Sequence, residues 1–562
     1  MWAADWTLTC EKTNFVETGP YSEAVYFCRR LADTFPDARM ETFGTSPQGR
    51  PMVALVIGKA APGKPTLFIQ SGIHAGEIEG KDATLMLARD ILVKGKHKDL
   101  VRKARLVIVP VFNLDGHERT SPYNRINQNG PASMGWRVTA QGFNLNRDYM
   151  KLDAPEMRAM LAFMRQCGTD AFMDNHTSDG GDWQFQMHYD VPRWPSQPAS
   201  LVALSEDLNQ SLAKKLDADG WPNAPYFGGI DPSHPERGAS ISPFSPRYSH
   251  GYAAVTDRVS VLVETHVMKP YKDRVLSTYD IDMRTWEWVA AHAAELTKAR
   301  SSALRADAGA KEGDKLVLSA RTSRVARPWI FKGWKYTPRD SAVTGAKVSA
   351  WTREPVDVES FIRDRFEPDV TVTLPAGYVV PAEWADKVAP VLGLHGVQFS
   401  RTQKARTIEA DVTMLLEPRF PSTPFENRFM PAFKTGPGRR KVTLPVGSLV
   451  VPVGQRAMRV AAQLFEPQGQ DSLLAWGFFN VVFEQKEGAD AHNLEPIAAK
   501  MLEADPKLKA EFEEKLKDPA FANSPSARLD FFYRRSPYWD SRLGVYPVLR
   551  ASGALIKELL PS

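Results

Sequence analysis

Among the histidines that are followed three residues later by glutamate are His74 with Glu77 and His292 with Glu295. A neutral imidazole and a carboxylate at this spacing, on a turn where a strand becomes a helix, can point at one metal ion from the same side. Only the first pair has that setting, because an apolar run at 67–69 precedes it and a helical pattern follows it. The second pair lies inside a helical run rich in Ala and Trp, which indicates a chance match.

A third ligand and a general base follow two other predicted strands. The apolar strand 171–173 leads to His176, and the strand 259–263 leads to Glu264. A catalytic zinc takes three protein ligands and keeps one position open for water. A carboxylate at the end of a buried strand is partly desolvated, which raises its pKa toward the range of a working base. The alternatives are a polar loop residue for His176 and a salt bridge with an arginine for Glu264.

Cationic residues that could bind a substrate lie between these strands, at Arg137 and in the pair Asn146-Arg147. Guanidinium groups bind carboxylates through two hydrogen bonds and stabilise an oxyanion without titrating. Surface salt bridging is the alternative role for each arginine, and Arg125 is a rival of Arg137.

The elements that must position these residues alternate between strand and helix from residue 21 to about residue 300. The predicted strands are 52–57, 66–71, 106–111, 171–173 and 259–263, and the predicted helices are 22–34, 80–92, 154–166 and 200–218. This alternation predicts an α/β fold with a mixed or largely parallel sheet and helices on both faces. In such sheets functional sites lie at the carboxyl ends of the strands, where His74 is placed.

Four motifs in this order resemble the zinc carboxypeptidase family, the carboxypeptidase A-like metallopeptidases, over roughly residues 20–300. The resemblance implies an eight-stranded type of mixed, largely parallel sheet flanked by helices, and one bound Zn²⁺. It implies that the zinc ligands are His74, Glu77 and His176 and that the general base is Glu264. It also implies that Asn146 and Arg147 form a clamp that binds the terminal carboxylate of the substrate and that Arg137 stabilises the oxyanion.

The sequence departs from the family pattern at two positions. Many members carry Asp two residues before the Asn-Arg pair, where it accepts a hydrogen bond from a zinc-binding histidine; this chain has Asn144. Asn can accept the same bond without contributing a charge, so the basicity of the ligand is expected to be lower. Asp148 stands where Asn is frequent, and it could neutralise Arg147 in part or favour substrates with a nearby positive group. The side-chain pocket is expected between residues 244 and 263.

These features predict a hydrolase, a zinc-dependent metallocarboxypeptidase whose substrate is a peptide or a peptide-like molecule. Alternatives on the same scaffold are an N-acyl amino acid deacylase or, for an exported protein, a cell-wall or γ-glutamyl peptidase. A binding protein built on an inactive peptidase scaffold is a further alternative. It is disfavoured because no member of the predicted chemistry is missing from the sequence.

The chain has 562 residues, more than one hydrophobic core usually supports, so two or three domains are expected. We predict a catalytic domain at 1–305 and an accessory, β-rich α+β region at 306–562, for which a division into two subdomains, 306–425 and 426–562, is one alternative. Within this region the segments 372–381 and 442–452 echo each other and form a weak internal repeat. The accessory region is expected to cover the rim of the active site or to dock a partner.

Composition excludes two classes of partner. No apolar run approaches the roughly 18 residues that a membrane span needs, and the net charge of +5 includes no long basic block that would indicate nucleic-acid binding.

The start Met-Trp-Ala-Ala-Asp-Trp resembles the end of a trimmed export signal, which predicts a periplasmic or secreted protein, although a short cytoplasmic amino terminus explains it equally. Cys10 and Cys28 could form a disulfide, or all three cysteines could be buried thiols. The oligomeric state is left open.

Overall fold

An eight-stranded mixed sheet positions the candidate site. The structure is a computed structural model that describes residues 5–178 and 180–560, so most of the start that suggested export lies outside the described residues. The strands of the amino-terminal half are β1 Ala38–Thr45, β2 Pro51–Ile57, β3 Thr66–Ser71, β4 Arg105–Val109, β5 Ala171–Ser178, β6 Met187–Asp190, β7 Asn223–Pro225, β8 Ala239–Ser240 and β9 Val259–His266. The helices are α1 Thr9–Lys12, α2 Tyr21–Thr34, α3 Glu79–Leu92, α4 Lys98–Lys103, α5 Leu114–Glu118, α6 Pro155–Gln166, α7 Ala199–Ala218, α8 Ser249–Val255, α9 Tyr271–Ala291 and α10 Ala293–Ala308.

The sheet has the strand order β1-β2-β4-β3-β5-β9-β6-β7. Its centre is parallel, since β3 pairs with β4 and with β5, and β5 pairs with β9. The pairs β1-β2, β2-β4 and β6-β9 are antiparallel. The predicted fold class, a mixed and largely parallel sheet flanked by helices, is confirmed.

Strands β5 and β9 are longer than their apolar segments predict. The predicted ends at 173 and 263 are extended to Ser178 and His266, because the two strands pair in register along their whole length. In that register His176 lies directly opposite Glu264. Both residues therefore belong to the carboxyl-terminal part of a strand, and the sheet itself sets the distance between their backbones.

Helix α3 follows the first pair of candidate ligands and is buried along its whole length. Two acidic side chains of α3 are held by residues of α9. Arg274 forms an ion pair with Glu79, and Tyr271 donates a hydrogen bond to Asp82 at 2.8 Å. Gly80 allows the helix to approach the sheet closely, since a Cβ atom there would lie 2.6 Å from Cβ of Asn175. These contacts hold the start of α3 against β5.

The carboxyl-terminal half contains several small sheets and two long hairpins. Its strands are β10 Lys315–Thr322, β11 Arg327–Tyr336, β12 Arg339–Asp340, β13 Lys347–Val348, β14 Trp351–Arg363, β15 Phe366–Thr373, β16 Gly377–Val380, β17 Ser400–Arg401, β18 Arg406–Arg419, β19 Ala432–Leu444, β20 Leu449–Pro452 and β21 Leu549–Ala551. Its helices are α11 Ala382–His395, α12 Met458–Phe465, α13 Ala491–Ala504, α14 Pro506–Lys515, α15 Pro519–Ala522, α16 Pro525–Tyr533 and α17 Gly553–Leu559. The echoing segments become β16 and β20, which pair with each other and are each followed by a helix.

Side chains of both halves pack into one hydrophobic cluster, to which the second half contributes the fully buried Tyr378 and Trp476. The domain boundary near residue 305 stays a prediction. The subdomain division at 425 and 426 falls between β18 and β19, which pair with each other.

Among the described helices, none has the length and apolarity needed to cross a membrane. All three cysteines are buried free thiols.

Two buried carboxyl groups meet where the halves join. Nε of Arg459 lies 3.4 Å from Asp257 and 3.1 Å from Asp307. Burial, reinforced by the neighbouring Asp257, raises the pKa of Asp307 to about 7, and burial also raises the pKa of Asp257. A carboxyl group whose pKa is higher in the folded state stabilises the fold at low pH, and this contribution is lost as the pH rises through the folded-state pKa.

We expect the free energy of unfolding of the wild type to fall between pH 5 and pH 8, and to fall less in Asp307→Asn, because the amide cannot ionise. Urea unfolding at the two pH values measures this difference. The exposed Asp386→Asn is the control and should behave like the wild type. An equal fall in all three proteins would contradict the assignment.

Candidate metal centre

Three side chains converge at the carboxyl end of the sheet. The candidate ligand atoms of His74, Glu77 and His176 all lie within 4.8 Å of one another, and they are the only such group of three or more His, Cys, Asp or Glu among the described residues. Nδ1 of His74 is 3.1 Å from both carboxylate oxygens of Glu77, and Nδ1 of His176 is 2.9 Å from Oε2. The sequence-predicted ligands are thus brought together.

The two histidines reach the site from different elements. His74 and Glu77 lie on the turn between β3 and α3, where the backbone N–H of Glu77 donates to the carbonyl of His74 at 2.9 Å. His176 comes from β5, the neighbouring parallel strand. All three side chains are at least 95% buried. A strand, its following turn and the next strand are sufficient to build the cluster.

Each histidine donates its Nε2 proton away from the cluster. His74 donates to Oδ1 of Asn144 at 3.1 Å, and His176 donates to Oδ2 of Asp174 at 2.8 Å. In these neutral tautomers the Nδ1 lone pairs face Glu77, an arrangement that requires a proton or a metal cation between the atoms. Two imidazole nitrogens and a carboxylate oxygen are a donor set that fits zinc and leaves a fourth position for water or substrate.

The sequence motifs did not assign a role to Asp174. A usable signal was present, because residues two apart on a strand face the same side of the sheet. The Asp174-Asn175-His176 segment therefore already placed the carboxylate beside the ligand.

The surroundings shift the pKa values of His74 and His176 in opposite directions. Burial lowers the pKa of His74 to about 4, which favours the neutral ring. Burial also disfavours the charged form of His176, but the adjacent Asp174 outweighs it and raises the pKa of His176 well above its usual value. For Glu77, burial is outweighed by His74 and Arg125, and its pKa is well below the usual range. A carboxylate held ionised between two imidazoles is suited to a cation.

Glu264 lies on the strand next to the cluster and is 8% exposed. Burial, together with the negative charges of Glu77 and Asp174, raises its pKa to about 8 although His176 opposes the shift. No ion pair joins Glu264 to an arginine within 4 Å in the described part of the chain. The geometry therefore does not support a salt bridge between Glu264 and an arginine, and the carboxyl group of Glu264 is free to exchange a proton.

Both candidate oxyanion arginines contact the same oxygen. Oε1 of Glu77 lies 3.0 Å from Arg125 and 3.2 Å from Arg137. Their exposure differs, since the side chain of Arg125 is 9% exposed and that of Arg137 is 38% exposed. Arg137 is thus the arginine that a ligand can reach more easily from solvent.

The predicted clamp lies on a 3-10 turn, Leu145–Arg147, that is capped by the side chain of Asn144. Oδ1 of Asn146 accepts a hydrogen bond from the backbone N–H of Ser249 at 3.0 Å, so the amide is held in place. The guanidinium of Arg147 lies 4.3 Å from the ring centroid of Tyr248 and donates to the carbonyl of Asn146. Arg147 forms no ion pair among the residues that the structure describes, and burial lowers its pKa. An unpaired, partly buried guanidinium is suited to an anionic group of a ligand.

Asp148 does not act on Arg147. Its carboxylate is buried, pairs with Lys151 at 2.5 Å and accepts hydrogen bonds from the backbone N–H groups of Asp153 and Ala154. The side chain therefore closes the loop after the clamp, and neither role considered for it from the sequence is supported.

The tip of the β18-β19 hairpin reaches this turn from the second half of the chain. Oε2 of Glu426 accepts a hydrogen bond from the backbone N–H of Asn144 at 3.2 Å. The tip is anchored by Arg428, which donates to Asp153 at 3.0 Å, and by Phe425, whose ring stacks on Trp476. The carboxyl-terminal half thus contacts the residue that orients His74.

The second His-x-x-Glu pair lies elsewhere. His292 forms the junction between α9 and α10, and its ring stacks on Trp288 at a centroid distance of 4.5 Å. Glu295 is exposed on α10. The helical run of the sequence is therefore interrupted at His292, and the pair joins no metal-binding cluster among the described residues.

Substitution of Asn144 tests how the hydrogen bond that Nε2 of His74 donates to Asn144 affects metal binding. We expect Asn144→Ala to weaken zinc binding about 10- to 100-fold, because the hydrogen bond that orients His74 is lost. Asn144→Asp keeps the acceptor and adds a charge, so it should bind zinc at least as tightly as the wild type. Competition with a chromogenic chelator measures both affinities. Equal zinc affinity of Asn144→Ala and the wild type would contradict the orienting role.

Comparisons with known proteins agree with this site. A family model described as zinc carboxypeptidase matches residues 25–215, a segment that contains the three candidate ligands and ends before Glu264. Carboxypeptidase B of Astacus astacus is 28% identical over 131 residues, which are 23% of this chain and 43% of that protein. Carboxypeptidase D of Mus musculus is 25% identical over 214 residues, which are 35% of this chain and 15% of that protein. The match thus spans less than half the length of either relative.

Solved structures that match part of the chain include a metallo-carboxypeptidase from Burkholderia cenocepacia, with a TM-score of 0.37, 19% identity, and coverage of 48% of this chain and 69% of that chain. Carboxypeptidase A from Helicoverpa armigera has a TM-score of 0.36 and 18% identity, with coverage of 51% of this chain and 75% of that chain.

Proposed function

We propose that the chain is a metallocarboxypeptidase that hydrolyses the C-terminal amide bond of peptides or peptide-like molecules, a proposal supported by the match of residues 25–215 to the zinc carboxypeptidase model. The observation that carries the proposal is the combination of a buried His-Glu-His cluster with an unpaired guanidinium, Arg147, on the adjacent turn. The first can hold a metal and the second can hold a terminal carboxylate.

His74, Glu77 and His176 are the residues that would hold one zinc ion. Zinc at this position supplies a Lewis acid that polarises a carbonyl oxygen and lowers the pKa of water. Asn144 and Asp174 keep the Nδ1 atoms of the two histidines directed at the site. The donor set and its burial support this assignment.

Glu264 is the proposed general base. Its position opposite His176 and a pKa that burial raises suit a group that accepts a proton from the attacking water and then gives it to the leaving nitrogen. Arg137 is proposed to donate hydrogen bonds to the oxygen that becomes negative during attack. Arg125 remains on Glu77 in this assignment and keeps its carboxylate ionised.

Asn146 and Arg147 are proposed to bind the free carboxylate of the substrate. A bidentate pair between a guanidinium and a carboxylate fixes both distance and orientation. Tyr248 lies against the guanidinium and limits its motion. This clamp selects the end of a chain, which distinguishes a carboxypeptidase from a peptidase that cuts internally.

A deacylase of N-acyl amino acids and a cell-wall or γ-glutamyl peptidase would use the same clamp and cluster. Only the substrate that is hydrolysed distinguishes them from the proposed carboxypeptidase. An inactive binding protein is disfavoured, because the cluster, the base and the clamp are all present.

The test compares peptides with a free C-terminus, the same peptides with an amidated C-terminus, and N-acyl amino acids. We expect amidation to lower kcat/KM about 10- to 100-fold, as expected for the loss of a charge-assisted hydrogen bond. In Arg147→Gln this difference should disappear, whereas the exposed Arg102→Gln should retain it. Equal cleavage of free and amidated peptides by the wild type would exclude the carboxylate clamp, and cleavage of N-acyl amino acids alone would support the deacylase.

A further inference from the structure

A cavity distinct from the metal centre lies between the two halves of the chain. Its volume is about 510 Å³, and it is lined by residues of α6, α8 and α10 on one side and by segments 395–398 and 454–460 on the other. Four arginines line it, and no aspartate or glutamate does: Arg165, Arg258, Arg300 and Arg456. None of the metal-centre residues contributes to its wall.

Arg258 forms the buried part of this arginine-lined cavity. The residue is 7% exposed, and its side chain donates only to the carbonyl oxygens of Thr169, at 3.1 Å, and Thr256, at 3.3 Å. No carboxylate lies within 4 Å of it in the described parts of the chain. Burial and the like charge of Arg300 lower its pKa to about 10. The guanidinium is therefore held without a carboxylate in direct contact among the described residues, although Asp170 and Asp257 act on it from a greater distance.

Arg300 stands beside it with incomplete hydrogen bonding. Its NH1 group pairs with Asp170 at 3.0 Å, but its buried Nε has no hydrogen-bond partner among the described residues. Buried donors without a partner are rare and costly in folded proteins. This donor adds a second unfilled position to the cavity.

The remaining two arginines lie at the open rim. Arg165 donates to the carbonyl of Gly393 at 2.8 Å, and Arg456 forms no ion pair within the described residues. Four positive charges around the cavity thus outnumber the nearby carboxylates, Asp170, which pairs with Arg300, and Asp257, which acts on Arg258 from beyond 4 Å. Such a concentration of like charge is unfavourable unless an anion binds between the arginines.

We propose that the arginine-lined cavity binds a small polyanion that carries phosphate or carboxylate groups. Guanidinium groups bind both kinds of group through paired hydrogen bonds. The volume falls in the range of small-molecule sites. Tyr252, Val255, Leu304 and Val460 line the same cavity and provide an apolar surface for the body of the ligand.

Calorimetric titration of the zinc-loaded full chain with inorganic pyrophosphate and with citrate, at low ionic strength, tests the proposal. Saturable binding is expected, with an affinity that falls as salt is added. The relative affinity of pyrophosphate and citrate distinguishes a phosphate ligand from a carboxylate ligand.

Two pairs of substitutions locate the binding. Arg300→Gln with Arg456→Gln should weaken binding roughly 100-fold, as expected when two charge-assisted hydrogen-bond donors are removed. Arg305→Gln with Arg439→Gln removes the same charge from exposed positions outside the cavity and should leave the affinity unchanged. The single change Arg456→Gln, which breaks no ion pair, should weaken binding about tenfold.

Heat from chelation of zinc is the same in the two double variants and cancels in the comparison. Absence of saturable binding at millimolar pyrophosphate and citrate would overturn the proposal. Equal affinity of the two double variants would also overturn it, because the anion would then be bound elsewhere on the protein.

Discussion

Glu264→Gln is expected to lower kcat at least about 100-fold, since general base catalysis contributes typically 10²- to 10⁴-fold. Glutamine has the size of glutamate and can form hydrogen bonds, but it cannot accept the proton of the attacking water. Burial already favours the neutral form of this carboxyl group, so the neutral amide should not destabilise the fold. The expected loss is therefore one of chemistry alone.

Zinc content and melting temperature of Glu264→Gln should equal those of the wild type, and KM should change much less than kcat. The exposed Glu295→Gln, taken from the second His-x-x-Glu pair, is the matched control and should retain full activity. Activity of Glu264→Gln within a few fold of the wild type would show that another group takes the proton.

His176→Ala is expected to abolish zinc binding at micromolar zinc and to remove activity with it. A catalytic zinc site has three protein ligands, and the change removes one of them together with the hydrogen bond to Oδ2 of Asp174, which keeps Gln70 as the donor to its Oδ1. Without metal, the raised pKa of His176 favours the imidazolium form, so Glu77 also loses its ion pair with Nδ1 of His176 and the melting temperature of the metal-free protein should fall. The metal content per chain, determined by elemental analysis, measures the effect.

His292→Ala is the control for this change, because it removes a histidine with the same spacing to a glutamate but without other ligands. It should bind one zinc ion and keep full activity. Full zinc content in His176→Ala would place the metal elsewhere, and loss of zinc in His292→Ala would contradict the choice between the two pairs.

The local part of the site could be predicted from the sequence. His74 and Glu77 follow an apolar strand and precede a helix, so their spacing and their setting are both visible in the sequence. His176 and Glu264 could be placed because each follows an apolar strand of the same sheet. The lengths of β5 and β9 could not be predicted in this way, since pairing between the strands continues through polar residues.

Contacts between distant segments explain what the sequence does not reveal. The hydrogen bond from Asn144 to Glu426 joins residues 282 positions apart, and Glu426 lies in the turn between β18 and β19. The arginine-lined cavity likewise depends on how the two halves pack, because Arg258 and Arg456 lie far apart in the chain. Asp148 pairs with Lys151 although Arg147 is its neighbour in sequence, because side chains after a turn point in different directions.

Titration of the zinc-free protein with zinc, followed by hydrolysis of a peptide with a free C-terminus, tests most directly whether the His74, Glu77 and His176 cluster is the centre of a metallocarboxypeptidase. We expect no hydrolysis without metal and a linear rise to a plateau at one zinc ion per chain. Full hydrolysis by the zinc-free protein, or a plateau in which His176→Ala matches the wild type, would contradict this assignment.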